Sequence, residues 1–352
     1  MTSTDPELAT KAPESDAQED VQKDAPTETT PAAAAVPAAP AAPAEELTSQ
    51  PKMCDDCVTD RPTPSGPGPT GEIRKLNDID AYISKPSDYP HAPARLLLLL
   101  TGGTGLKSTN NQIQADRFAS EGFVVVMPDL FEGDIAPNSA TVDEEQATQG
   151  GSFLDNFKIK AVEGVKSFMI DMWLARHTEE KVLPILHKVL DGAKDEFADA
   201  VGNGGGVYAA GYCFGGRYVL LLASERKEQA AGSGFLGGGG AQKPADEEAG
   251  PKATGPYIKA GALAHATLVS KDDFEGLKAP LSFVCVENDP LFPDDVRKAG
   301  EDSMSKANVD HEVQVYPGVP HGFAVVGDYE DATIKTAQGT AFEQMLKWLK
   351  DH

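Results

Sequence analysis

Val207-Tyr208-Ala209-Ala210-Gly211-Tyr212-Cys213-Phe214-Gly215-Gly216-Arg217 is the stretch that decides the fold of this 352-residue chain. An apolar run leads into it, and Tyr218-Val219-Leu220-Leu221-Leu222-Ala223 leads out. The pattern predicts a buried strand, a sharp turn and a helix, with Cys213 at the apex. A reactive side chain held at such a bend needs a strained backbone. It also needs neighbours without a Cβ two places before and two after, and Gly211 and Gly215 meet that demand. The helix from Phe214 points its positive end at a thiolate, which favours ionised sulfur. Cys213 is therefore the candidate nucleophile, set against the plainer reading of a small buried filler in a tight turn.

Other strands and loops extend the pattern in both directions. Ile79-Asp80-Ala81-Tyr82-Ile83-Ser84 alternates as a half-exposed first strand should. Arg95 to Leu100 is a continuous apolar run, which predicts a central parallel strand buried on both faces. It ends in Thr101-Gly102-Gly103-Thr104-Gly105. This loop lacks G-x-G-x-x-G and Gly-Lys-Ser/Thr, so a nucleotide-phosphate cradle is not expected. Instead, a backbone N–H of Gly102 or Gly103 could pair with that of Phe214 to hold an oxyanion.

Asn110 to Glu121 reads as a helix and Phe123 to Met127 as a strand. Asp129, in the Pro128-Asp129-Leu130-Phe131 turn, is read as structural. Glu132 to Ser152 is a polar loop at the sheet edge, of the kind that forms lids or binding walls. Helical spacing runs from Leu154 to about Leu190 with a break expected near Pro184, and Asp191 to Asp199 continues it.

Three further strand ends carry chemistry. Ala260 to Ala264 stops at His265, a candidate pocket-lining residue. Leu281 to Val286 stops before Glu287-Asn288-Asp289-Pro290, where Asp289 is placed to hold an imidazole in one tautomer. Val313 to Tyr316 stops before Pro317-Gly318-Val319-Pro320-His321-Gly322-Phe323. The order Cys213, Asp289, His321 is that expected of an α/β-hydrolase triad, each member at the end of a successive strand. The fold class follows: α/β, with a mostly parallel central sheet and helices on both faces.

Composition sets the outer limits. The chain holds 55 acidic and 31 basic residues, a net charge of −24. Residues 1 to 50 are acidic and rich in Ala and Pro, and are read as a disordered tail without the features of a signal or transit peptide. The remainder still carries 45 acids against 29 bases, about −16, a surface that repels nucleic acid and anionic lipid. No run approaches the length of a membrane span.

Residues 51 to 71 read as a linker containing Cys54-x-x-Cys57, whose spacing suits a metal or a dithiol but lacks a second pair. Residues 72 to 352 read as the folded domain, interrupted by an exposed Gly-rich insertion at about 229 to 256. Cys285 lies in a strand pattern and is expected in the core. Four cysteines without a secretory signal point to thiols in a reducing, cytoplasmic compartment.

The Cys213 hexapeptide, Asn288-Asp289-Pro290, Pro320-His321-Gly322-Phe323 and Pro128-Asp129-Leu130-Phe131 together resemble the dienelactone hydrolase family. The likeness covers roughly residues 54 to 350, and the lead-in and tail are similar to those of fungal members. The resemblance implies a single-domain hydrolase that opens a small-molecule ester or lactone through a thioester on Cys213. It implies no metal or cofactor, and a monomer or weak homodimer.

Two departures stand out. Bacterial family members carry a glutamate against the resting thiol where this chain has Gly102. They also carry a carboxylate-binding arginine where this chain has Val325 and Val326. An uncharged ester, lactone or thioester is the substrate expected, with Arg217 the candidate substitute cation. An idle scaffold with binding or regulatory duties, and a thiol redox sensor, are the alternatives from other classes.

Overall fold

In the computed structural model, the described residues are 53, 55–137, 165, 168–227 and 253–352. The predicted tail, the Glu132–Ser152 loop beyond residue 137, and residues 229–252 of the predicted insertion lie outside them.

The elements in chain order are α1 (Asp55–Val58), β1 (Glu72–Leu76), β2 (Ile79–Ser84), β3 (Arg95–Leu100), α2 (Thr109–Ser120) and β4 (Phe123–Pro128). They continue with α3 (Glu179–Glu196), α4 (Ala198–Gly204), β5 (Val207–Tyr212), α5 (Phe214–Ala223), β6 (Ala260–Ala264) and β7 (Leu281–Val286). The last are α6 (Asp294–Ala307), β8 (His311–Tyr316) and α7 (Ala332–Asp351). Among the described residues, these eight strands form one sheet in the order β1-β2-β4-β3-β5-β6-β7-β8, and a short antiparallel pair, Arg226–Lys227 with Ala253–Thr254, forms a second. In the eight-stranded sheet β2 pairs antiparallel with β1 and β4, and all the other pairs are parallel.

The five-leucine run of β3 shows why the sheet is buried twice over. Leu96, Leu98 and Leu100 join one apolar cluster, with Val124, Ala209 and the core faces of α3 and α5. Leu97 and Leu99 join another, with Val125, Ala210, Phe118 of α2 and Met345 of α7. Successive side chains of a strand point to opposite faces, so a run apolar at every position is the signature of helices on both sides.

Three local expectations are corrected. Ile79–Ser84 is the second strand, not the first, and only Asp80 is exposed along it. The true first strand, Glu72-Ile73-Arg74-Lys75-Leu76, is a largely exposed edge, where charged side chains discourage further pairing. Pro184 does not break its helix. It lies within α3, whose buried Val182, Leu186, Val189 and Leu190 hold the helix to the core, while an exposed Glu180 stands four residues before the missing N–H.

The register brings the chemistry together. Leu100 pairs with Gly211, Tyr212 with Ala264, and Val286 with Tyr316. The loops that begin at Thr101, Cys213, His265, Glu287 and Pro317 therefore leave the same carboxyl edge of the sheet.

Candidate active site

Cys213 has φ 51° and ψ −117°, a conformation that L-residues rarely adopt and that marks stored backbone strain. Its two flanking contacts leave no choice of neighbours. A Cβ on Gly211 would lie 2.6 Å from the Gly215 carbonyl oxygen, and one on Gly215 would lie near 2.3 Å from that of Leu100. The bend is tied down by Cys213 N–H donating to the Ala264 carbonyl at 3.1 Å and by Thr267 N–H donating to the Cys213 carbonyl at 3.2 Å. Phe214 opens α5, so its N–H has no carbonyl within the helix to bond.

His321 Nδ1 donates to Asp289 Oδ2 at 2.7 Å, and both side chains are buried. The other oxygen of Asp289 accepts from Leu291 N–H at 2.9 Å, which fixes the carboxylate plane. Burial pushes the His321 imidazole down, but hydrogen bonding and charge from Asp289 and Cys57 more than offset it, and the group is raised to about 10. With Nδ1 committed to Asp289, Nε2 is the nitrogen left for sulfur chemistry. The sulfurs of Cys57 and Cys213 and a ring nitrogen of His321 all lie within 4.8 Å of one another. Two sulfurs and an imidazole could also hold a soft divalent ion. Such an ion would occupy the thiol and the imidazole together and so oppose hydrolysis.

The other predicted residues divide. His265 lines the cavity, and its ring meets that of His321 edge to face, centroids 4.9 Å apart. Burial, then the charge on His321, push it well below the ordinary imidazole value. Gly102 lines the cavity too, where a Cβ would come 3.1 Å from that of Cys213. Gly103 faces elsewhere, against Ala136 and the Cys57 carbonyl.

Arg217 is not a pocket cation. It is bound by Asp273 through Nε at 2.9 Å and Nη2 at 3.0 Å, and by Glu179 at 3.1 Å, and it is absent from the lining. Asp129 accepts from Phe131 N–H at 3.1 Å, the turn role expected of it. Cys285 is buried in β7, and burial raises its thiol to about 12.

A segment that the sequence marks as linker supplies what was missed. Cys57, Thr59, Asp60 and Arg61 line the cavity opposite Val325, Val326 and Tyr329. The segment is anchored by Ser108 Oγ donating to Asp60 Oδ1 at 2.8 Å, Asn110 Nδ2 to the Arg61 carbonyl at 2.7 Å, and Asp328 N–H to the Pro62 carbonyl at 2.8 Å. The Arg61 guanidinium stands over the Tyr329 ring, 5.0 Å from its centroid.

The model of the dienelactone hydrolase family matches residues 79–352. The chain belongs to the dienelactone hydrolase family. Among curated relatives, it is 26% identical to Hydrolase tropI of Talaromyces stipitatus over 81% of this chain and 91% of that one. It is 25% identical to Dienlactone hydrolase 1 of Gibberella moniliformis over 80% and 87%. A solved structure from Klebsiella pneumoniae described as a dienelactone hydrolase superposes with a TM-score of 0.54 at 17% identity, covering 80% of this chain and 99% of that one. Thermogutta terrifontis esterase 2 gives 0.50 at 15%, covering 81% and 94%.

These likenesses establish an α/β-hydrolase fold, and family membership makes this dienelactone hydrolase relative a hydrolase of ester or lactone bonds. Among the described residues, no helix is long and apolar enough to cross a membrane.

Proposed function

We propose that the chain hydrolyses a small-molecule ester or lactone through a thioester on Cys213, with His321 as proton carrier and Asp289 as its orienting partner. One observation carries the reading. The strained Cys213 sulfur lies within 4.8 Å of a His321 ring nitrogen, and the Nδ1 of that ring is bonded to a buried carboxylate at 2.7 Å.

His321, held by Asp289, takes the proton of the Cys213 thiol as the sulfur attacks. The sulfur of Cys213 adds to the carbonyl carbon, and the oxyanion is held by Phe214 N–H together with an N–H of the Gly102–Gly103 loop. His321 gives its proton to the departing alkoxide. Now neutral, it takes a proton from the water that cleaves the thioester, and the resting pair is restored.

The walls bear on substrate charge. Val325 and Val326 line the cavity and favour an apolar acyl group. Asp60 and Arg61 line it as well, one charge of each sign, so the two valines alone do not exclude a carboxylate-bearing substrate, and a neutral or singly anionic ester fits.

The test is a panel of neutral aryl esters and anionic lactones on the parent, Cys213→Ser and His321→Ala, with trapping of the acyl-enzyme on Cys213. Loss of turnover in both variants and an acylated Cys213 in the parent are expected. Unchanged turnover in either variant would overturn the reading.

A further inference from the structure

Hydrolysis through Cys213 forms its bond with one sulfur, yet a second, that of Cys57, stands at the reacting centre. Its residue is buried, and its Sγ lies within 4.8 Å of both the Cys213 sulfur and a His321 ring nitrogen. It comes from α1, a single turn on the segment that crosses the cavity, and not from the sheet that carries the other groups. The backbone there packs tightly on the glycine loop, since a Cβ on Gly103 would approach the Cys57 carbonyl oxygen to 2.8 Å.

We propose that Cys57 is the resolving thiol for an oxidised Cys213, and that a Cys57–Cys213 disulfide reversibly closes the site when the protein meets a hydroperoxide. The proposal rests on the reading of Cys213 as the nucleophile of the site, served by His321. Activated, accessible thiolates are the ones hydroperoxides attack, and a second thiol in reach decides whether the product is recoverable.

The chemistry balances with groups already in place. The Cys213 thiolate attacks one oxygen of the hydroperoxide; a sulfur–oxygen bond forms, the oxygen–oxygen bond breaks, and the departing alkoxide or hydroxide takes the proton of the His321 imidazolium. Cys213 is now a sulfenic acid. Neutral His321 next accepts the proton of the Cys57 thiol, whose sulfur attacks that of Cys213. The sulfur–sulfur bond forms, the sulfur–oxygen bond breaks, and hydroxide leaves as water with the proton from His321. Two thiols and one hydroperoxide become one disulfide, one alcohol or water, and one further water. The two sulfurs must close from no more than 4.8 Å to about 2.0 Å.

One feature separates this pair from Cys285. Cys285 is held protonated by burial in β7, so it cannot compete. Cys54 lies outside the described residues and enters only as a control.

The experiment treats the full-length protein with one to a few equivalents of hydrogen peroxide, blocks remaining thiols, digests without reduction and weighs the peptides. A linked Cys57–Cys213 peptide pair, two hydrogens lighter than its parts and separated by dithiothreitol, is expected in the parent and in Cys54→Ser. In Cys57→Ser, dimedone should capture a Cys213 sulfenic acid, and more peroxide should carry it to a sulfinic acid that dithiothreitol does not restore. Cys213 in the parent passing straight to sulfinic acid overturns the proposal. So does Cys57 pairing with Cys54 while Cys213 stays reduced, or loss of the link in Cys54→Ser. The masses read the sulfur partners whether or not an ester is turned over, so a failed hydrolysis panel and a failed disulfide are separate results.

Discussion

Asp289 Oδ2 accepts from Nδ1 of His321 at 2.7 Å, with both side chains buried in the loops past β7 and β8. Asp289→Asn keeps the size of the side chain but can leave the imidazole in the wrong tautomer. Turnover of a neutral aryl ester should fall about 10³- to 10⁴-fold, with the circular dichroism spectrum unchanged. A variant within tenfold of the parent would remove Asp289 from the machinery.

The His321 imidazole, raised to about 10 from an ordinary 6.5, sets a pH signature. The folded chain keeps a proton that the unfolded chain has shed. The stability this contributes is complete below pH 6.5 and is lost as pH rises through about 10. The rate should hold across the neutral range and fall above about pH 10, as the imidazolium that protonates the leaving group disappears. A rate profile that turns down near pH 7 instead would contradict the paired state.

His265 acts in the opposite sense. Its value is depressed by burial and by the charge of His321, so unfolding lets it take up a proton, and stability declines as pH drops below about 6.5. His265→Phe should lessen the drop in Tm between pH 7 and pH 5, measured by scanning calorimetry on both proteins. An equal drop in both would show that another group carries the acid sensitivity.

Arg217 and Arg61 can be told apart by what each substitution changes. Arg217→Ala takes the guanidinium from the buried Asp273 carboxylate, which keeps its bonds from Ser270, and should cost about 1.5–3 kcal/mol of stability in urea titrations, with neutral and anionic substrates slowed alike. Arg61→Ala should raise KM about tenfold for a carboxylate-bearing ester, the loss of one charge-assisted contact, while leaving KM for a neutral one within about twofold. Selective loss on the anionic substrate in Arg217→Ala would restore it as a pocket residue.

Gly215→Ala forces a Cβ near the Leu100 carbonyl, whereas the Cβ of Gly102→Ala meets the Cys213 side chain first, at 3.1 Å, and backbone no nearer than the Tyr212 carbonyl at 3.8 Å. The first should lose about 1–3 kcal/mol or more. The second should stay folded but slow the reaction by displacing the sulfur. Equal Tm and equal rate for both would mean that the bend has room to spare.

The meeting of Cys213, Asp289 and His321 at one sheet edge was legible because each follows a strand and stands near a marked turn: Gly211 and Gly215 two places either side of Cys213, Pro290 after Asp289, Pro320 and Gly322 around His321. Position along the chain then fixes position at the sheet edge. β1 was not legible, because Glu72-Ile73-Arg74-Lys75-Leu76 has the composition of a solvated loop and becomes a strand only by pairing with β2. Arg217 misled because a helix start beside the nucleophile says nothing about which way the side chain turns, and Asp273 lies 56 residues away. Cys57 and Arg61 were hidden more thoroughly. They reach the cavity through long-range contacts with Ser108, Asn110 and Asp328, and no local periodicity encodes them.

The anchoring of Asp60 and Arg61 to the first turn of α2 also bears on how the protein should be prepared. A version trimmed to begin at residue 72, where the sheet starts, would look complete by its strand count and would still lack part of the reaction chamber's roof. Met53, Cys57 and Val58 would be gone from the packing, and the glycine loop they cover would be open to bulk solvent. Assays on such a shortened protein would describe a different chamber from the one the whole polypeptide builds.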